Sequence, residues 1–173
     1  MTIKTSAVRR GLWLAALLLA ACTPGQPRVV PQEPGDETAC ALDGMVLHDF
    51  PGPKAQILYT EGKPDYYCDL MELFAVVLGG EQKRVVAGMF VQDMGEADWD
   101  HPSGHWIPAR AAFYVVGSRK LGSMGPTFGA FASEQAAQAF AAAQGGEVRR
   151  FEHIGRGEVT MGGSAAHDNA MSR

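Results

Sequence analysis

Cysteine and basic residues are both scarce in this sequence. Only 3 of its 173 residues are cysteine, too few for the dense disulfide network of small secreted scaffolds. The 15 Lys and Arg residues are outnumbered by 19 Asp and Glu residues, and the formal net charge is −4. Nucleic acids and anionic lipids are bound through clustered basic side chains, so the composition argues against both as charge-driven partners.

Known signatures of catalysis are missing as well. The sequence contains no nucleophile elbow, phosphate-binding P-loop, dinucleotide fingerprint or zinc-protease helix. We therefore expect a protein that is not an enzyme. With 46% hydrophobic residues the composition is that of a globular protein, and the length fits one domain or two small ones.

The N-terminus has the pattern of a secretory signal. Three basic residues and no acidic ones occur in positions 1–10. Residues 11–21 are apolar, but a run of about ten residues is too short to span a bilayer and is typical of a signal peptide. We expect residues 1–21 to be removed from the mature chain.

The signal ends in Leu19-Ala20-Ala21-Cys22, which resembles the lipobox of bacterial lipoproteins. The resemblance implies that Cys22 becomes the lipidated first residue of the mature chain. Thr23, rather than Asp, follows the cysteine, which implies an anchor in the outer membrane with the protein facing the periplasm. Several acyl chains would make the anchor lasting, since a single chain binds membranes only marginally.

Two segments outside the expected folded body lack apolar periodicity. Residues 22–37 are rich in Pro and Gly and predict a flexible tether between the membrane and the body. Residues 156–173 are rich in Gly, Ser and Ala and predict a loose tail. The folded body is therefore expected over residues 38–155.

The pattern of the body predicts two similar β-β-α-β halves, 38–94 and 111–155, joined by a linker loop over 95–110. Each helix is expected to begin at a capping side chain, Asp69 or Ser133, and to end at a Gly-Gly pair. The predicted fold class is thus α+β. The predicted strands are 45–50, 55–60 and 84–92 in the first half and 111–117, 127–131 and 147–152 in the second, with helices over 69–78 and 134–144.

Two cysteines remain once Cys22 carries lipid. Cys40 and Cys68 lie 28 positions apart, and a disulfide between them would stabilise the fold by about 3–4 kcal/mol on chain-entropy grounds. A metal site that uses one or both thiolates is the alternative. The neighbouring carboxylate of Asp69 would tend to raise the pKa of the Cys68 thiol, which disfavours a role as a catalytic nucleophile.

Soft metal donors occur in two predicted turns. Cys40 and Met45 lie five residues apart in one loop, in which Gly44 permits an unusual backbone turn. Met124 lies in a second turn among Gly, Ser and Pro residues. Thiolate and thioether ligands select Cu(I), whereas zinc normally takes four Cys or His ligands, for which no spacing is evident. His48, three residues after Met45, is a further candidate ligand.

Six short motifs carry a family resemblance. They are Cys40-Ala-Leu-Asp-Gly-Met45, His48-Asp-Phe-Pro-Gly-Pro-Lys-Ala-Gln-Ile57, Tyr67-Cys-Asp69, Met89-Phe-Val-Gln-Asp-Met94, Ala112-Phe-Tyr-Val-Val-Gly-Ser118 and Gly122-Ser-Met-Gly-Pro-Thr-Phe128. In combination they resemble the NosL family, copper-binding lipoproteins accessory to nitrous-oxide reductase. The resemblance runs from the lipobox to about residue 154. It implies paired β-β-α-β units, similar to the smaller domain of organomercurial lyase.

The resemblance also implies a function and a ligand set. It implies Cu(I) binding and delivery to nitrous-oxide reductase, with an ABC-type maturation complex as a further partner. Carried over residue by residue, it makes Cys40 a thiolate ligand and Met45 and Met124 thioether ligands, in a site between the two halves. Asp43 stands where many relatives have a second cysteine, which argues against a second thiolate from this motif. Cys68 matches an aromatic-Cys-Asp motif of the family and is a further candidate ligand.

Two other functions stay open on the sequence. A structural or docking lipoprotein would have a Cys40–Cys68 disulfide and no metal, and a thiol count would distinguish it from a copper chaperone. An enzyme resembling organomercurial lyase would share only the fold, which is a weak basis for assigning function. No cysteine pair suited to cleaving a carbon–metal bond is evident.

Overall fold

The computed structural model describes residues 29–159. The predicted signal peptide, the lipobox with Cys22 and the last fourteen residues of the predicted tail, 160–173, lie outside the described residues. Between residues 29 and 159, no helix has both the length and the apolar character needed to cross a membrane. Both sulfur-bearing turns that the sequence singles out fall within the described range.

Four antiparallel strands form the first sheet, and a helix packs against it. The strands are β1 (Ala55–Tyr59), β2 (Asp65–Tyr67), β3 (Val86–Gln92) and β4 (Trp106–Pro108), in the spatial order β2-β1-β3-β4. Helix α1 (Leu70–Gly79) connects β2 to β3 and contacts β1 and β2. Only Cys68 and Asp69 lie between the end of β2 and the start of α1.

A second, three-stranded antiparallel sheet follows along the chain. It begins with β5 (Phe113–Val116), continues through a small hairpin of β6 (Leu121–Gly122) and β7 (Gly125–Pro126), and is completed by β8 (Gly129–Phe131), helix α2 (Glu134–Gln144) and β9 (Glu147–Arg150). The spatial order of the sheet is β8-β5-β9. The turn of the hairpin consists of Ser123 and Met124.

The first three strands of each sheet follow the same order. In the first sheet, β1 lies between β2 and β3, the strand that follows α1. In the second sheet, β5 lies in the same way between β8 and β9, the strand that follows α2. Helices packed against antiparallel sheets confirm the α+β fold class. The boundaries predicted for the two halves and their linker stay predictions.

Both helices begin at the predicted capping residues. Asp69 Oδ1 accepts a hydrogen bond of 2.8 Å from the Met71 N–H, and Gly80 takes a left-handed φ of 72° after the last residue of α1. Ser133 Oγ accepts one of 3.2 Å from the Ala136 N–H at the start of α2. Each cap satisfies a backbone donor that the first helical turn leaves without a partner.

An aromatic cluster joins the two halves in the main core. Phe74 of α1 lies with its ring centroid 5.1 Å from those of Tyr114 and Phe151 and 5.7 Å from that of Phe128. All four side chains are buried. Burial of an apolar side chain of this size contributes about 1.5–3 kcal/mol. A movement of α1 relative to the second sheet that exposed these rings would therefore lower the stability of the fold.

The strand predicted over residues 45–50 is wrong. Only Val46 pairs, in an isolated antiparallel bridge with Ala39, and Leu47–Asp49 form a 3-10 turn. The chain turns here into the loop that contains Pro51 and Pro53, so the Asp49 N–H bonds back to the Val46 carbonyl at 3.3 Å. The edge strand that pairs with β1 is instead β2, which the sequence pattern did not predict.

The linker predicted as a loop over 95–110 contains a strand. Trp106–Pro108 form β4, which pairs with Phe90–Gln92 and extends the first sheet. Three residues are too short to show a periodicity of two, which explains why the pattern missed this strand.

The ends of the body extend further than expected. Gln32 and Gln56 exchange two hydrogen bonds of 2.8 and 2.9 Å, and Glu33 Oε2 accepts one of 2.7 Å from Trp106 Nε1. Residues from Gln32 onward, predicted as tether, are thus held against the first sheet. Likewise, Arg156 of the predicted tail donates a hydrogen bond to the Leu78 carbonyl.

Candidate metal centre

Four potential metal ligands meet at the start of α1. One ligand atom each from Cys40, Asp43, Cys68 and Glu72 lies within 4.8 Å of the others. We refer to these four residues as the thiol cluster. Cys40, Cys68 and Glu72 are buried, whereas Asp43 is exposed and closes the cluster toward solvent. Both cysteines are free thiols.

A tight loop over residues 40–45 presents the first thiol. The Cys40 N–H donates to the Met45 carbonyl at 2.8 Å, and the Gly44 N–H donates to the Cys40 carbonyl at 3.0 Å. Gly44 takes a φ of 79°, in the left-handed region that disfavours other residues. Asp43 Oδ1 accepts a bond of 2.9 Å from the Met45 N–H. The backbone thereby holds Cys40 and Met45 in one fixed turn.

Glu72 is the group shared by the two thiols. Its Oε2 lies 3.1 Å from Cys40 Sγ and 3.4 Å from Cys68 Sγ, and it accepts a hydrogen bond of 3.1 Å from the Cys68 N–H. Its Oε1 is buried and has no hydrogen-bond partner in the described part of the chain. A buried polar atom without a partner is costly. The carboxyl group therefore has capacity left for a proton or a metal ion.

Proton affinities in the cluster differ sharply between the two thiols. The hydrogen bond from Cys68 lowers the pKa of Cys40 to about 5, against the raising effect of burial. The same hydrogen bond, together with burial, raises the pKa of Cys68 well above its ordinary value. Burial and the bond to Cys40 raise the pKa of Glu72 to about 8. Of the two thiols, Cys40 is therefore the one that gives up its proton more readily.

The β6–β7 hairpin, from the second half of the chain, also contacts the cluster. Ser123 Oγ lies 3.1 Å from Cys68 Sγ. Thr127, just after the hairpin, donates a hydrogen bond of 2.6 Å to Asp69 Oδ1, the oxygen that caps α1. Met124, partly buried, is the other residue of the hairpin turn. The two contacts attach the turn that contains Met124 to the start of α1.

A buried lysine lies beneath the cluster. The Lys54 side chain is 2% exposed. Its Nζ donates three hydrogen bonds, to the carbonyls of Phe50, Pro51 and Cys68 at 2.8, 3.0 and 3.1 Å. All three ammonium protons are therefore satisfied by backbone oxygens, one of which belongs to a cysteine of the cluster.

The structure brings together most of the residues that the sequence singles out. Cys40 and Cys68 are neighbours, and Met45 packs against the small apolar group that they form with Leu47. Met124 follows the serine that contacts Cys68. His48 lies exposed on a 3-10 turn and does not belong to the thiol cluster. The predicted rise in the pKa of Cys68 is found, but its first causes are the bond to Cys40 and burial rather than Asp69.

Three parts of the site were missed by sequence reasoning: Glu72, Ser123 and Lys54. Glu72 had a signal, because Cys68 and Glu72 lie four residues apart at a helix start and so share one face. Glu72 also stands three residues after the capping Asp69, where an acidic residue commonly binds backbone donors. Ser123 and Lys54 reach the cluster only through long-range packing, which no local pattern shows.

The donor set includes the ligands of a soft metal ion. Two thiols within 4.8 Å of each other provide the thiolates that copper(I) prefers, and the thioethers of Met45 and Met124 occur in the adjoining turns. Neither cysteine is engaged in a disulfide. A hard ion such as Mg²⁺ would require oxygen ligands, and only two carboxylates are present in the cluster.

Comparisons with known proteins place this geometry in context. The NosL family model matches residues 31–159. The copper-binding lipoprotein NosL of Stutzerimonas stutzeri is 38% identical over 133 residues, which cover 76% of this chain and 70% of the relative. The protein of the same name from Achromobacter cycloclastes is 41% identical over 141 residues, which cover 78% and 72%.

A solved structure agrees with these relatives. The crystal structure of the copper chaperone NosL from Shewanella denitrificans superposes with a TM-score of 0.72 at 35% sequence identity. The match covers 76% of this chain and 99% of that chain. The similarity therefore extends over nearly the whole of the solved domain.

Proposed function

Since the chain belongs to the NosL family, we propose that it is a copper chaperone that binds Cu(I) at the thiol cluster. The observation that carries the proposal is the pair of buried, free thiols with sulfur atoms within 4.8 Å of each other. Copper(I) is the cargo of such a protein rather than a resident cofactor. The relatives named above are called copper-binding or copper chaperones, which supports the assignment.

The ligand set that we propose consists of Cys40, Cys68, Met45 and Met124. Cys40 is the first group ready to receive the ion, because its pKa is lowered whereas that of Cys68 is raised. Cys68 becomes the second thiolate when the ion displaces its proton. Met45 packs against the two cysteines, and Met124 follows Ser123, which contacts Cys68. Both are partly buried, so their thioethers can take over and release Cu(I). His48, exposed on its turn, stays a further prediction.

We propose that the protein is lipid-anchored through Cys22 and faces the periplasm from the outer membrane. Its relatives are named lipoproteins, which supports the anchor. The cluster lies in the described body, downstream of the proposed tether, and Asp43 on its outer side is exposed. Asp43 is therefore the member of the otherwise buried cluster at which another protein can approach the site.

We further propose that the copper is delivered to nitrous-oxide reductase, with an ABC-type complex as a partner in maturation. Partly exposed Met45 and Met124 support transfer by ligand exchange, because a partner's donor can replace a thioether before the thiolates let go. We assign no catalytic residue, since the role of the cluster is binding and release. A disulfide-linked docking lipoprotein is disfavoured by the two free thiols.

An anaerobic titration tests the proposal. The chain from residue 23 on is reduced, its thiols are counted, and Cu(I) is added against a chromophoric competitor. We expect two thiols and one tightly bound Cu(I) per chain. Cys40→Ser and Cys68→Ser should each weaken binding strongly, and Met124→Leu should weaken it less.

Met89→Leu is the matched control for Met124→Leu. Met89 lies in β3 and packs against the main core, away from the cluster. Its variant should bind Cu(I) like the wild type. A folded, fully reduced wild-type chain that fails to compete for Cu(I) would refute the proposal, and so would full affinity in Cys40→Ser.

A further inference from the structure

Lys54 is the charged group next to the cluster that the proposed function leaves without a role. A lysine that is 2% exposed is uncommon, because taking an ammonium group out of water is costly unless it is compensated. Carbonyl oxygens satisfy its protons but carry no net charge. Within residues 29–159 Lys54 forms no ion pair. Its positive charge must therefore be balanced by groups that it does not touch directly.

The balancing groups are those of the cluster and its helix cap. The acidic side chains whose negative charge, when they are ionised, stabilises the Lys54 ammonium belong to Cys68, Asp69, Glu72 and Cys40. Three of these four residues form the buried part of the thiol cluster. The Cys68 carbonyl, 3.1 Å from Nζ, places the ammonium next to the residue that provides the second thiolate. Lys54 is thus the counter-charge of the cluster.

Copper(I) and a divalent ion leave different charges in this cluster. When Cu(I) is held by two thiolates, the ion and its ligands carry one net negative charge. A divalent ion held by the same two thiolates carries none. The two loaded states differ by one unit of charge whatever the protonation of the empty site. With an effective permittivity of about 20, a difference of one unit of charge several ångström from the Lys54 ammonium changes the affinity of the site for the metal ion by a large factor.

We propose that Lys54 is a specificity-determining residue that favours monovalent copper over divalent ions at the thiol cluster. This inference rests on the proposed function, because it assumes that Cys40 and Cys68 bind the ion. The buried ammonium stabilises the negatively charged Cu(I) state and gives no such stabilisation to the neutral state with a divalent ion. Selectivity then has two sources, the softness of sulfur and the sign of a fixed charge.

The test compares two ions in the same variants. Cu(I) affinity is measured by competition, and Cd(II) affinity by its thiolate charge-transfer absorption, for wild type, Lys54→Met, Lys54→Gln and Lys54→Arg. The ratio of the two affinities should fall by about ten- to a hundredfold in Lys54→Met and Lys54→Gln. It should stay near the wild-type value in Lys54→Arg, which keeps the charge. Lys54→Gln retains a hydrogen-bond donor and serves as the neutral variant if Lys54→Met does not fold.

Each outcome decides between charge and simple structural support. Loss of a structural contact would weaken both ions alike, so an unchanged ratio in the neutral variants would overturn the inference. A fall of the ratio in Lys54→Arg equal to that in Lys54→Gln would overturn it too, since charge would then be irrelevant. Binding of Cu(I) by the wild type with an unaltered ratio in the variants refutes only this inference. Failure of the wild type to bind Cu(I) refutes the proposed function as well.

Discussion

Replacing Gly122 by alanine should disturb the contact between the hairpin and the start of α1. A Cβ at this position would lie 2.4 Å from Asp69 Oδ2 and 2.9 Å from Thr127 Cγ2. Asp69 is 2% exposed and Thr127 1% exposed, so neither side chain has free space to move into. Either Asp69 rotates away or the hairpin shifts. In both cases the hydrogen bond from Thr127 and the cap on the Met71 N–H are weakened.

The size of the effect follows from these two bonds. Loss of an N-cap costs about 0.5–2 kcal/mol, and loss of a hydrogen bond to a charged group costs about 1.5–3 kcal/mol. Burial raises the pKa of Asp69 to about 6, so the carboxylate is charged at pH 8. We expect Gly122→Ala to lower the free energy of unfolding by about 2–4 kcal/mol at that pH. The measurement is equilibrium denaturation in urea, followed by circular dichroism.

Gly79→Ala is the matched control for this change. Gly79 is the last residue of α1, and a Cβ there would meet no atom within 4 Å. Alanine should therefore be neutral or slightly stabilising at this position, because it restricts the unfolded chain. In Gly122→Ala the contact between the hairpin turn with Ser123 and Met124 and the start of α1 is weakened in either case, so Cu(I) affinity should fall together with stability. Wild-type stability and Cu(I) affinity in Gly122→Ala would refute the contact described here.

Three further predictions concern proton binding, a helix cap and the core. In the metal-free chain the absorbance of the Cys40 thiolate should be lost as the pH falls through about 5. Cys68→Ala should move this loss to higher pH, because the Cys68 side chain is the largest cause of the lowered pKa of Cys40. An unchanged titration in this variant would contradict the influence of Cys68 on Cys40. Ser133→Ala should lower the free energy of unfolding by about 1 kcal/mol through loss of the α2 cap, with unchanged Cu(I) affinity. Phe74→Ala should lower it by about 3–5 kcal/mol, since this buried ring contacts Tyr114 of β5 and Phe128, which precedes β8. A loss below about 1 kcal/mol would contradict a shared core.

The helices were predictable because their signals are local. Asp69 and Ser133 precede apolar runs and have side-chain oxygens that cap a first turn, and glycines follow each run. The failed strand over 45–50 shows the limit of the same approach. Beyond the single bridge between Ala39 and Val46, this segment has no neighbouring strand to pair with. Residues 47–49 form a 3-10 turn instead, and the chain continues into the loop that contains Pro51 and Pro53. Strand pairing depends on a neighbour that is distant in the sequence, and periodicity alone does not reveal it.

The candidate site was predictable to the extent that its chemistry is written in rare residues. Cys40 and Met45 stand out because sulfur in a glycine-containing loop has few structural uses. The sequence indicates Cys68 as a candidate ligand only through the family motif, and the structure places it beside Cys40. Lys54 had no signal at all, because a lysine within a proline-rich turn is normally exposed. Its burial depends on backbone carbonyls supplied by the fold.

The position of the cluster at the start of α1 has a physical reason. Asp69 caps the helix, and Glu72, three residues on, stands where a capping box places an acidic group. Here Glu72 bonds to the Cys68 N–H and to both sulfurs instead of the N–H of the capping residue. The N-terminal end of a helix stabilises nearby negative charge, so it favours the thiolates that Cu(I) needs. Glu72 thus links the start of α1 to both thiols, and a change at Glu72 should affect fold stability and copper affinity together.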